Sequence, residues 1–418
     1  MTVFELFGVL IGVIAVFGYI NHRFIGLPDT IGITAMGLIS TMILAVLGAQ
    51  TPAVVTQAKL FAEQLNFSEL VFHGLLGVLL FAGSLHVNVS DLNRHKAPIL
   101  ALSTLGVVIS TTVVGFLTHW VSTWMGAPIE LAYCLLFGAL ISPTDPIAVM
   151  GVLKTASIGK SLEMKISGES LFNDGTAVVA FLVMLGIATG ATSPTAAGLA
   201  TMLAKEVLGA LVLGLVVGYA AFFLIKGVDS YPVEILITVA LATGGYALAE
   251  RVHVSAPLAV VVMGLVIGNH GARSVMSEKT REHLFSFWEL LDEVFTLLLF
   301  GLIGVKLIAL ADDPFSWALA FMFVPVVLVA RFVSVALPLG TLRLFATVSP
   351  HAIKVLTWGG LRGGISIALA LSLPEFAGKP QIVAGTYAVV LFSLLVQATT
   401  LGRLLRCLKK RMPADVRD

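Results

Sequence analysis

Charged side chains are scarce in this sequence. Only 12% of its 418 residues are Asp, Glu, Lys or Arg, whereas 58% are hydrophobic. A soluble globule of this size needs more polar surface than that, so lipid is expected to be the solvent around most of the chain. The formal net charge of +1 provides no acidic or basic field for binding nucleic acid. The composition therefore predicts a membrane protein with no nucleic-acid partner.

Cysteine is almost absent as well. Cys134 lies in an apolar run and Cys407 in a basic tail, and two positions so distant and dissimilar do not indicate a disulfide. Their spacing also excludes a thiolate metal site. The nine histidines contain no H-E-x-x-H pair of the kind that binds zinc. We therefore expect neither a metal cofactor nor an organic one.

Long apolar runs, in contrast, are abundant. They are roughly 15 to 30 residues long, which is enough to cross a hydrocarbon core of about 30 Å. The sequence thus predicts an all-α polytopic membrane protein with about thirteen transmembrane helices. The thirteen runs centre on residues 3–20, 30–48, 69–87, 97–122, 130–153, 166–189, 196–225, 232–250, 254–268, 285–309, 315–340, 350–373 and 382–404.

The charges between these runs predict an orientation. Glu5 lies at the start of the first run and Arg23 follows the run, which is the reverse of a cleavable signal peptide. Of the 25 Lys and Arg residues, 18 fall on one side of the predicted topology and four on the other. Positive loops stay in the cytoplasm, so we expect the N-terminus outside and a short cytoplasmic tail, 405–418. A prokaryotic inner (plasma) membrane fits best, and an organelle of bacterial origin is the alternative.

Two of the apolar runs are interrupted by helix breakers. SPTDP (142–146) interrupts the fifth run and GGLRGG (359–364) the twelfth. These two runs cross the membrane in opposite directions, and paired breaks of this kind mark the transport site of inverted-repeat transporters. For a single break, the alternative is a kink that neighbouring helices tolerate. Two antiparallel breaks, each beside a charged residue, favour the transporter interpretation.

Five charged residues lie inside apolar runs and away from the expected membrane interfaces. Each would cost on the order of 3 kcal/mol if unpaired at the centre of a bilayer. They must therefore form pairs or line a hydrated path. They are Asp145, Glu169, Asp174, Arg331 and Arg362.

The sixth run predicts a cation site. Ser170 and Asp174 are four residues apart and share one helical face. Together with the Asp145 carboxylate and the Thr144 carbonyl, they form an oxygen set that suits Na⁺ or Li⁺. A buried carboxylate can bind a proton or a cation in turn, so the two would compete for Asp174. The alternative is that Asp174 belongs to a buried ion pair.

The remaining charges have simpler interpretations. Arg331 lies near the middle of the eleventh run, so we expect it to pair with Glu169 rather than to reach the membrane surface. Arg362 is placed to neutralise the negative ends of the broken helices, and Asp145 their positive ends. Positions at the membrane interfaces are the simplest prediction for five others: Lys205, Glu206, Glu289, Asp292 and Glu293.

An ordered set of motifs gives the chain a family resemblance. The sequence resembles the monovalent cation:proton antiporters, which include bacterial sodium/proton antiporters of the NhaP type and animal sodium/proton exchangers. SPTDP and ESLFND are the most specific of these motifs, and the match extends over essentially the whole chain. The motifs, in order, are SPTDPIAV, GESLFNDGTAVV, LLLFGLIG, VARFVSV and TWGGLRGGISIALALSLP.

The resemblance implies an architecture. It implies a homodimer whose protomers each have a dimerisation domain and a mobile core domain, with two crossed broken helices and an elevator-like motion. The core domain would comprise segments around 97–189 and 315–404.

The resemblance also implies roles for residues. Asp174 looks like the ion- and proton-binding aspartate, with Thr144, Asp145 and Ser170 as supporting ligands. Asn173 completes this set of cation- and proton-binding residues. Electrogenic relatives have a second aspartate at the corresponding position, so an asparagine there implies exchange of one cation for one proton. Glu169, Arg331 and Arg362 match the buried structural charges of the family.

Other functions stay open at this stage. Potassium could replace sodium as the exchanged ion, because sequence does not show cavity size or dehydration. An intramembrane hydrolase is disfavoured, since there is no G-x-S-x-G motif and no histidine placed beside Ser170. A channel would need a continuous pore, and its flux would not saturate or depend on the opposite ion.

Overall fold

The computed structural model is helical throughout the described part of the chain. It describes residues 3–47, 56, 60–61, 67–94, 96–145, 149, 160–190, 195–271, 276–306, 314–342 and 350–411. No β-strand occurs within those ranges. Residues 146–153 of the fifth predicted segment, including Pro146, lie outside the described residues apart from Val149, and so do residues 412–418 of the tail.

Seven helices form the N-terminal part of the described chain. All except the short α4 coincide with the first six apolar runs. They are α1 (Val3–Ile20), α2 (Asp29–Leu47), α3 (Phe67–Leu85), α4 (Val89–Arg94), α5 (Lys96–Trp124), α6 (Leu131–Leu140) and α7 (Lys160–Ala188).

Eight helices follow in the C-terminal part, and two of them share the twelfth run. They are α8 (Ala196–Lys226), α9 (Tyr231–Arg251), α10 (Ala256–Gly271), α11 (Glu278–Lys306), α12 (Pro314–Leu342), α13 (Pro350–Trp358), α14 (Gly364–Leu371) and α15 (Lys379–Phe392, continued to Arg411).

The helices agree with the predicted spans. Each of the thirteen apolar runs contains at least one described helix. Eight of the described helices are long and apolar enough to cross a membrane, while α6 and α10 are shorter apolar helices. The prediction of an all-α polytopic membrane protein is therefore confirmed.

Local sequence marks several helix starts. Proline occupies the first turn of α9, α10 and α15, where its missing N–H is not needed for a helical hydrogen bond. The Thr195 side chain accepts a hydrogen bond from Gly198 N at 3.2 Å and so caps the start of α8. These signals set the boundaries between successive spans.

The helices pack as two sets. In the broken-helix set (α5–α7 and α12–α15), α6 packs against α5 and α7, and α12 packs against α5, α13 and α15. In the flanking set (α1–α3 and α8–α11), α11 packs against α2, α3 and α9, and α10 packs against α3, α8 and α9. The sets touch where α7 meets α10 and where α11 meets α14.

Apolar side chains also cover much of the outer surface. Val212, Val216 and Phe223 of α8 are each more than 60% exposed. Such a face would be unfavourable in water but is stable against lipid or an apolar partner. The exposed faces thus agree with the low content of charged residues.

Candidate cation site

The two predicted helix breaks meet inside the protein. After α6 ends at Leu140, Pro143 supplies no N–H and cannot continue the helix. The main-chain N–H of Asp145 instead donates to Leu361 O in the second break, at 2.8 Å. This contact agrees with the predicted pair of crossed broken helices.

Two buried arginines satisfy the carbonyl groups at the ends of the broken helices. Arg362 Nη1 donates to Ser142 O and, at 3.0 Å, to Pro143 O, just beyond the end of α6. Arg331 donates to Leu356 O in the last turn of α13, through Nε at 3.2 Å and Nη2 at 2.9 Å. The C-terminal ends of helices are negative and leave carbonyls without partners. Each guanidinium therefore stabilises one interrupted helix, and the contact with Leu356 was not foreseen from sequence.

A buried ion pair links α7 to α12. Arg331 Nη1 lies 2.6 Å from Glu169 Oε1. Glu169 is 1% exposed and Arg331 is 7% exposed, so both charges are removed from solvent. Pairing and hydrogen bonding are what make two such charges tolerable in an apolar interior.

Two glycines of the second break allow other side chains to approach closely. A Cβ atom at Gly360 would overlap the Arg331 guanidinium, and one at Gly363 would lie 2.5 Å from Asp145 Oδ2. Gly363 is also the N-cap of α14, whose N-terminal end carries partial positive charge. The break thus places the Asp145 carboxylate beside the start of a helix.

A polar network ties the first break to α7. Thr144 Oγ1 and Ser170 Oγ are 3.0 Å apart, and Asn173 Nδ2 donates to Thr144 Oγ1 at 2.7 Å. Asn173 Oδ1 in turn accepts from Thr144 N at 3.3 Å. The Asn173 amide uses both a donor and an acceptor here, which a carboxylate could not do. Asn173 therefore positions Thr144 next to Asp174.

Asp174 has an oxygen atom without a partner. Its side chain is 6% exposed, and among the described residues none hydrogen-bonds its buried Oδ1. Asp174 and Asp145 both line a cavity of about 110 Å³. This volume exceeds what one water molecule needs, and a buried polar group without a protein partner calls for a ligand or water.

The cavity lies between the two sets of helices. Side chains from α3 and α11 form the wall opposite α7 and the two breaks. The polar residues of the lining are Thr144, Asp145, Ser167, Asp174 and Asp292.

Asp292 does not lie at a membrane interface, so the prediction of an interfacial position is wrong for this residue. Asp292 lines the cavity, whereas Glu289 and Glu293 beside it are exposed. A pattern in the sequence could have separated them, because Asp292 lies on the helical stripe that contains the buried residues Trp288 and Thr296. Because Glu289, Asp292 and Glu293 are close together in the sequence, all three were assigned to the same environment.

Comparison with known proteins identifies the family. The profile of the family described as "Sodium/hydrogen exchanger, transmembrane" matches residues 12–407. The chain belongs to this family. Its members are secondary transporters, so the protein is a transporter and not an enzyme.

Antiporters from several other organisms are similar to this chain over nearly their whole length. The Na⁺/H⁺ antiporter NhaP of Pseudomonas aeruginosa is 45% identical, and the match covers 98% of each chain. The Na⁺/H⁺ antiporter NhaH of Halobacillus dabanensis is 33% identical over 91% of each chain. The sodium proton antiporter MjNhaP1 from Methanocaldococcus jannaschii, at pH 8, superposes with a TM-score of 0.76 over 97% of this chain and 99% of that one. At 21% identity, this superposition shows the exchanger fold alone.

Proposed function

We propose that this exchanger carries Na⁺ in exchange for H⁺ and that Asp174 binds both in turn. The unpartnered, buried Oδ1 of Asp174 in the cavity is the observation that carries this proposal. A carboxylate in this position is stable when it holds a proton or a cation and costly when it holds neither. Similar proteins that are named Na⁺/H⁺ antiporters support sodium as the cation.

Oxygen atoms near Asp174 would complete the coordination of the cation. Asp145 shares the cavity, and Ser170 lies on α7 one helical turn before Asp174. Ser170 Oγ now pairs with Thr144 Oγ1, so cation binding would turn a hydroxyl lone pair towards the ion. With the Thr144 carbonyl, these groups supply the hard oxygen ligands that Na⁺ prefers.

Transport would follow from competition combined with alternating access. Cation and proton each neutralise Asp174, and only the neutralised site crosses the barrier. The cavity between the broken-helix set and the flanking set supports a movement of one set against the other. In this proposal, segments around 97–189 and 315–404 move, and the remaining segments hold a homodimer in the inner membrane, with the N-terminus outside.

Reconstituted protein should exchange Na⁺ for H⁺. The protein would be reconstituted into liposomes with an acidic interior and a clamped membrane potential. Na⁺, Li⁺ or K⁺ would be added to the outside medium, and an internal dye would report the pH inside. We expect Na⁺, and to some extent Li⁺, to make the interior more alkaline, because each cation that enters displaces a proton. Protein-free liposomes are the control. A response to K⁺ alone would replace sodium with potassium, and no response to any cation would overturn the proposal.

Exchange is expected to be electroneutral, with one Na⁺ moved for each H⁺. The reason is that Asn173 carries no charge, which leaves Asp174 as the carboxylate on this face of α7. A sodium gradient should therefore change the internal pH of proteoliposomes without changing their membrane potential. A potential-sensitive dye and an internal pH dye would report the two quantities. A membrane potential that develops with the exchange in the absence of any protonophore or other ionophore would show that unequal charges are carried.

A further inference from the structure

Asp292 brings a third carboxylate to the cavity, from a helix that the other two do not share. Asp174 belongs to α7 and Asp145 to the first break, while Asp292 projects from α11 in the flanking set. Asp145 lies near enough to Asp292 for their charges to interact. Three carboxylates around one cavity of about 110 Å³ create a strong negative potential in a surrounding of low dielectric constant.

The Asp292 carboxylate is available to a cation. Among the residues that the structure describes, none forms an ion pair or a hydrogen bond with it. The buried and unpartnered Oδ1 of Asp174 faces the same cavity. The cavity thus contains two carboxylates whose charge no described protein cation neutralises, and this arrangement favours a bound cation.

Asp292 lies at one end of the cavity. It precedes Leu299 of α11 by seven residues, and Ser167 precedes Asp174 of α7 by the same number, a rise of about 10 Å. Both helices run outward from the cytoplasm in the predicted topology, so Asp292 and Ser167 mark the cytoplasmic end. Asp292 is also partly exposed, whereas Asp174 is buried. A cation arriving from the cytoplasm would therefore meet Asp292 first.

We propose that Asp292 captures the cation at the cytoplasmic end of the cavity and passes it to Asp174 and Asp145. This inference rests on the proposed exchange function. Capture by a fixed negative charge raises the local concentration of cation, and so lowers the concentration needed for half-maximal rate. Because α11 packs in the flanking set, Asp292 does not travel with Asp174 and serves one side of the membrane only.

The test compares the two sides of the membrane. Initial exchange rates against Na⁺ concentration would be measured in inside-out vesicles, which expose the cytoplasmic side, and in right-side-out vesicles. We expect Asp292→Asn to raise KM for Na⁺ about tenfold on the cytoplasmic side, with KM on the other side and the maximal rate unchanged. Asp292→Glu should restore KM to near the wild-type value. Asp292→Ser, a smaller neutral variant, gives a second measurement if the asparagine variant is poorly made.

Matched controls lie on the same helix. Glu289→Gln and Glu293→Gln each remove one negative charge from α11 within four residues of Asp292, but both side chains are exposed and do not line the cavity. These variants should keep the wild-type KM. An ionic-strength series with a non-transported salt adds a further readout, because screening should raise the wild-type KM more than that of Asp292→Asn.

Several results would overturn the capture role. One is an unchanged KM in Asp292→Asn, and another is an equal rise on both sides or in the Glu289 and Glu293 variants. A lower maximal rate with an unchanged KM would assign Asp292 a structural role instead. Failure of the exchange function itself is distinct, since wild-type vesicles would then show no Na⁺-dependent proton movement.

Discussion

Replacing Asp174 by asparagine is expected to reduce Na⁺-dependent proton movement to the level of protein-free vesicles. The amide keeps the size of the side chain but can neither release a proton nor neutralise a cation, so both halves of the exchange are lost. Raising the Na⁺ concentration should not restore the rate. In this respect Asp174→Asn differs from Asp292→Asn, for which we expect saturating Na⁺ to restore exchange. The measurement is internal pH in proteoliposomes that contain equal amounts of each protein.

Binding can be separated from transport in the same variant. Any ligand that binds only the folded state raises its stability, so Na⁺ should raise the Tm of the wild type in detergent. The Tm of Asp174→Asn should not respond to Na⁺. Asp229→Asn, the same chemical change at an exposed loop position, is the matched control and should exchange normally. Exchange by Asp174→Asn at the wild-type rate would show that the site lies elsewhere.

The spans and the helix breaks could be predicted because their signals are local. Runs of apolar residues long enough to cross a bilayer define the helices, and Pro143 or a group of glycines interrupts them wherever it occurs. The cost of a charge inside an apolar segment predicted that Glu169 has a cationic partner, but it did not decide between Arg331 and Arg362. The local sequence is thus enough to predict the spans, the helix breaks and the need for a partner at each buried charge, without knowledge of tertiary contacts.

Features that depend on the contact between distant segments were harder to predict. The Asp145 N–H reaches Leu361 O, and Arg331 reaches Leu356 O, only because two breaks far apart in sequence are folded together. Asp292 was misplaced for a related reason. Whether an acid on an amphipathic helix faces lipid headgroups or a cavity depends on which helices pack against it. Here α11 packs against α3 and α14, and all three helices line the cavity.

Removing one partner of the Glu169–Arg331 pair should cause a large loss of stability. Arg331→Met leaves the Glu169 carboxylate buried without its cation and removes both donors to Leu356 O. Breaking a buried pair from one side typically costs about 3 to 5 kcal/mol. Unfolding in detergent, followed by intrinsic fluorescence, should show this loss, and the exposed Arg403→Met should unfold like the wild type.

The double variant separates the charge of this pair from its packing. Glu169→Gln alone leaves an uncompensated guanidinium, whereas Glu169→Gln with Arg331→Met leaves no buried charge at this contact. The double variant should therefore lose less free energy of unfolding than the sum of the losses in the two single variants. We expect a difference, the coupling energy, of about 1 to 3 kcal/mol. Losses that simply add would mean that the two residues act independently, despite their separation of 2.6 Å. Neither Glu169 nor Arg331 lines the cavity. If the folded double variant still shows a Na⁺-dependent rise in Tm, the pair has a structural role and does not bind the cation.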